Sequence, residues 1–136
     1  MAFINWSDDI STGIESLDGE RKKLLTLLNS FYDSVQMEKG ETTISRLLDD
    51  LIAYTATLFS HEEEHMLATG YPSFHEHRDE HDRLRQQLME FHTKAEEKLT
   101  HSLSQEILVF LKCWLLVHSV SCDRAYGPHL RAKGIT

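Results

Sequence analysis

At 136 residues the chain has the length of one domain able to bury a substantial core. Its 22 acids against 14 lysines and arginines leave a net charge of −8, which disfavours nucleic acid as a partner, because phosphate binding wants a basic surface. No apolar run nears the roughly 20 residues of a membrane span, and Met1 to Asp9 lacks the basic-then-apolar layout of a signal peptide; the expected location is the cytoplasm.

In chain order, Trp6 to Gly13 shows no sustained period and is expected as an irregular N-terminal arm. Leu17, Arg21, Leu24, Leu28, Phe31 and Val35 then alternate steps of four and three, the seam of a packed helix, which "EKGE" (38–41) ends. A second helix is expected from about Thr42 to Ala68, with Ile44, Leu48, Leu51, Thr55, Leu58, Glu62 and His65 in the same stride. "TGYPSF" (69–74) breaks it. The third carries Phe74, His77, His81, Leu84, Leu88, Phe91 and Ala95. The fourth is expected to start at Ser104 as N-cap and to run through Ile107, Leu111, Trp114 and His118 to Tyr126, where Gly127-Pro128 stops it. The fold class is therefore all-α, an up-down-up-down four-helix bundle in a single domain, residues 1–136. Cys113 and Cys122 lie roughly 13 Å apart along one helix, too far for a disulfide, and read as reduced packing residues.

The seams are not purely apolar. Arg21, Glu62, His65, His77, His81 and His118 interrupt them, and such groups are costly to bury without partners. In a bundle core the usual explanation is a metal held from facing helices. His77 and His81, four residues apart, share one helix face, the spacing for two imidazoles to reach one ion. His118, among Trp114 to Val117, fits either a hydrogen-bonded core histidine or a third ligand.

"HEEEH" (61–65) admits three readings: a zinc-peptidase H-E-x-x-H, a solvated acidic turn, or part of the bundle site. With Leu51 as reference, Glu62 falls within about 20° of the core direction, His65 about 40° off and His61 about 80° off. Glu62 and His65 are expected inside, His61 on the flank, and Glu63 and Glu64 in water. A peptidase would need His61 and His65 on one zinc with Glu62 turned to a bound water, and Ala68 stands where the longer metzincin pattern requires glycine. It remains the remote alternative.

Taken together, these residues resemble the hemerythrin family, specifically single-domain bacterial hemerythrins. "INWSDDISTGIESLD" (4–18) is similar to its tryptophan-bearing arm, "YTATLFSHEEEHM" (54–66) to its Y-T-x-x-H-F-x-x-E-E-x-x-M, "GYPSFHEHRDEH" (70–81) to its G-Y-P-x-x-x-x-H-x-x-x-H, and "WLLVHSVSCDRAY" (114–126) to its W-L-x-x-H-x-x-x-x-D-x-x-Y. The resemblance implies a binding protein, not an enzyme, that takes O2 or a related small diatomic at two non-haem irons. His77, His81 and His118 would hold one iron, with Glu62 and Asp123 as bridging carboxylates. Two positions depart from the pattern. Arg21 stands for the first-helix histidine and Leu58 for the second-helix one, and both would serve the second iron; Arg stays protonated and Leu has no donor atom. Arg21 is expected to pair with Glu62 or Asp123, and His65 to join the first metal or hold a shifted second one, with His61 the weaker candidate. A single iron, or zinc, in a bundle that has lost O2 binding is the alternative.

Overall fold

The computed structural model describes residues 3–8, 10–118 and 124–135, apart from the side chains of His118, Arg124 and Ala125. Among them are five helices and no strand: α1 (Glu15–Gln36), α2 (Glu41–Ala68), α3 (Phe74–Glu97), α4 (His101–His118) and α5 (Arg124–Ala132). Helix α1 packs on α2 and α4, and α2 packs on α3 and α5. The expected seams are the buried faces. Leu17, Leu24, Leu28, Phe31 and Val35 of α1 and Ile44, Leu48, Leu51 and Leu58 of α2 all lie in the core.

The break between α2 and α3 is built from local chemistry. Gly70 takes φ +68°, and Tyr71 N–H and Gly70 N–H return to the carbonyls of Met66 (2.9 Å) and Leu67 (3.3 Å). This is a Schellman closure, in which glycine avoids the Cβ penalty of a left-handed residue.

The fourth-helix boundaries differ from those expected. Thr100, not Ser104, caps α4, because its hydroxyl accepts the Leu103 N–H at 3.0 Å; Ser104 is a buried residue inside the helix. Gly127-Pro128 does not stop a helix but lies within α5. Pro128, the fifth of the nine residues of α5, has no N–H to give that helix, while the arm crosses so close to Gly127 that a Cβ there would overlap the Thr12 carbonyl. The Gly-Pro pair is thus a crossing point rather than a terminator. Cys113 is exposed, not a packing residue, and Cys122 lies outside the described residues.

The arm is non-helical as expected, and α1 holds it. Asp18, in the first turn of α1, accepts bonds from Thr12 N–H and Thr12 Oγ1, both at 2.8 Å, and from the Ser11 hydroxyl. Asn29 brackets the Ile4 peptide, accepting at 3.0 Å and donating at 2.9 Å.

Two apolar clusters fill the interior. The larger runs from Leu24 and Phe59 along the bundle; the smaller contains Ile14, Leu17, Met66, Tyr126 and Leu130. Between them, one turn along each of three helices, lie Arg21, Glu62, and the pair His77 and His81, all buried. A polar layer is therefore sealed from water on both sides. No helix among the described residues is long and apolar enough to cross a membrane.

Candidate metal centre

Glu62, His77 and His81 offer ligand atoms that all lie within 4.8 Å of one another, and all three residues are buried. Glu62 Oε2 stands 3.3 Å from His81 Nε2 and 3.9 Å from His77 Nε2. Two ligands about 2.1 Å from one ion stand roughly 3.0–3.5 Å apart, so His81 is at ligand spacing and His77 is within a small ring rotation of it. Two imidazoles and a carboxylate form a nitrogen–oxygen donor set that suits iron or zinc.

The imidazoles are held in place. His81 stacks on Phe59 with centroids 3.8 Å apart and planes 3° from parallel, and Arg85 covers Phe59 at 5.4 Å. His77 meets His81 edge-on at 4.6 Å and Tyr126 edge-on at 5.1 Å.

Glu63 corrects the expectation of a solvated residue. Its side chain is 17 % exposed, and Oε2 lies 2.9 Å from His81 Nδ1 and in contact with Arg85 Nη2. Burial alone would raise its carboxyl, but hydrogen bonds from His81 and Arg85 and the adjacent positive charge outweigh burial and hold it below the ordinary range. An ionised carboxylate only accepts, so His81 Nδ1 is the donor in that pair and Nε2 is the ring atom that faces Glu62. A carboxylate behind the ligand histidine is the arrangement that fixes tautomer and raises basicity in metal sites. Spacing could not show this, since Glu63 is about 120° from the core direction; it lies at the α2–α3 boundary.

The other oxygen of Glu62 is taken up by Arg21. Arg21 Nη2 stands 2.8 Å from Glu62 Oε1 and donates to the Tyr126 hydroxyl at 3.3 Å, while Nη1 donates to the Ile10 carbonyl at 3.0 Å. Arg21 thereby joins α1, α2, α5 and the arm at the centre. The pairing with Glu62 was expected; the roles of Ile10, Tyr126 and Phe59 were not, because backbone carbonyls and ring stacking leave no spacing signature. Leu58, one turn before Glu62, is buried in the larger cluster.

Both HEEEH histidines fall outside this grouping. His61 is on the flank, with Nδ1 2.7 Å from Glu20 Oε1 on a pair whose side chains are 44 % and 28 % exposed. His65 is half-buried and Glu64 is exposed. The divergence of His61 from Glu62 argues against one zinc shared by His61 and His65. The His118 side chain and Asp123 lie outside the described residues. Among the described residues the grouped donors are Glu62, His77 and His81, and on the far side of Glu62 the Arg21 guanidinium offers hydrogen-bond donors only.

A family model described as the hemerythrin HHE cation binding domain matches residues 12–130. A bacteriohemerythrin of Methylococcus capsulatus is 29% identical, the match covering 97% of this chain and all of that protein. One from Stenotrophomonas maltophilia is 26% identical over 97% of this chain and 84% of that protein. Among solved structures, a wild-type hemerythrin superposes with TM-score 0.84 at 28% identity, covering 95% of this chain and 98% of the other.

Proposed function

This chain belongs to the hemerythrin family, and from that premise we propose that it is a non-haem iron protein that binds O2 or a related small diatomic without turnover. The observation that carries the reading is the buried Glu62–His77–His81 grouping with Glu63 behind His81. The site's residues are those of a binding centre. Glu62 brings a negative charge, His77 and His81 bring neutral nitrogen donors, and Phe59 and the two apolar clusters exclude water.

On this reading Glu62, His77 and His81 hold the ion, with His118 and Asp123 completing the set by their match to the family pattern. Bound iron would supply a redox-active ion with room for a small ligand. The whole chain, 1–136, acts as one domain with the family's up-down-up-down bundle, in the cytoplasm.

Elemental analysis of protein expressed with ample iron tests the metal. Iron is expected in the wild type and its loss in His77→Ala and His81→Ala; wild-type protein without any transition metal would sink the reading. Comparing visible spectra of deoxygenated and air-equilibrated iron protein tests the ligand. No O2-dependent change would favour the second reading, a mononuclear iron or zinc centre without O2 binding, for which the Arg21–Glu62 pair speaks.

A further inference from the structure

We infer that the Arg21 guanidinium is a built-in second cation, so that the centre takes a single transition-metal ion, bound through Glu62 Oε2. The inference rests on the metal-binding reading above and concerns its stoichiometry. Glu62 is 1% exposed and faces two ways. Oε2 looks toward the two imidazoles at 3.3 and 3.9 Å, while Oε1 meets Arg21 Nη2 at 2.8 Å. A carboxylate in this posture can bridge two cations, and here one of the two is covalently part of the chain.

Three features make that cation permanent. A guanidinium keeps its proton at any ordinary pH. Arg21 is tied down at both terminal nitrogens, Nη1 by the Ile10 carbonyl at 3.0 Å and Nη2 by the Tyr126 hydroxyl at 3.3 Å and Glu62 at 2.8 Å. Its side chain is 3% exposed, so water does not screen its repulsion of an incoming ion. Leu58, four residues before Glu62 on the same helix face, is 2% exposed and has no donor atom. A second ion on the Oε1 side would meet a fixed positive charge and would have to take Oε1 from a buried salt bridge.

The test is metal per chain, measured by elemental analysis after ferrous iron is titrated anaerobically into metal-free full-length protein and excess is removed. One ion per chain is expected. Two ions would overturn the inference while leaving the metal-binding reading intact; none would overturn both. A second variant probes the cause. The double substitution Arg21→His with Leu58→His removes the charge and adds two donors beside Oε1, and it should raise the stoichiometry to two. A double variant with native helicity and melting behaviour that still binds one ion would overturn the assignment to Arg21 and Leu58. Should that variant fail to fold, the wild-type stoichiometry still decides.

Discussion

Arg21 Nη2 and Glu62 Oε1 meet at 2.8 Å in a pair whose side chains are 3% and 2% exposed, joining residues 41 positions apart on α1 and α2. Removing one partner of such a pair strands the other charge away from water, which typically costs about 3–5 kcal/mol. Arg21→Ala should destabilise metal-free protein by about that much in chemical denaturation. Arg21→Met with Glu62→Leu, which leaves no orphan charge, should be distinctly less damaging. A single variant within about 0.5 kcal/mol of wild type would mean that the pair is not buried as described.

Glu63 meets the proposed metal site through His81 Nδ1, at 2.9 Å. Glu63→Gln should keep the helix content but weaken metal binding by about 10- to 100-fold, the usual cost of losing a carboxylate behind a ligand histidine. Competition against a chelator of known affinity reads this out; unchanged affinity would reduce Glu63 to a helix–helix tie.

His61 separates the bundle site from the peptidase motif. Its bond to Glu20 is partly exposed, and such pairs contribute about 0–1 kcal/mol. His61→Ala should therefore leave metal content unchanged and stability nearly so. Loss of metal in this variant would reinstate the H-E-x-x-H reading.

Gly127 marks a close approach of the arm to α5, where a Cβ would overlap the Thr12 carbonyl. Gly127→Ala should destabilise by about 1–3 kcal/mol as an overpacked contact, despite alanine's better helix propensity. A thermal midpoint at or above that of wild type would contradict the crossing.

Tyr54 supplies a pH dependence. Burial, and then the nearby Glu20 charge, raise its phenol above the ordinary value of 10.0. The folded state thus holds this proton to higher pH than the unfolded chain. Its contribution is fully present below about pH 10 and is lost as pH rises through the folded value. Stability of the wild type should fall across that alkaline window, and Tyr54→Phe should flatten the fall. Identical alkaline slopes in the two proteins would remove Tyr54 from the account.

The residues by themselves determined α1 to α3, their inward faces and all three members of the buried grouping, Glu62, His77 and His81. A seam of alternating fours and threes can bury only one side of a helix, so Leu24, Leu28, Leu48 and Leu51 had to point inward, and His77 and His81 had to project together. Motif order and spacing were also enough to reach the family. Four matters waited for the tertiary structure. Glu63 turns to His81, Arg21 bonds the Ile10 carbonyl and the Tyr126 hydroxyl, His61 leaves the site for Glu20, and Gly127-Pro128 sits inside a helix. Each depends on what stands opposite a residue rather than on its own direction. Periodicity encodes a face; a flank position such as Glu63 becomes a solvated charge or a histidine's anchor according to the neighbour that the packed helix beside it supplies. The same holds for "HEEEH": His61 meets Glu20 of α1, Glu62 meets Arg21 of α1 and His81 of α3, and Glu63 meets His81 of α3.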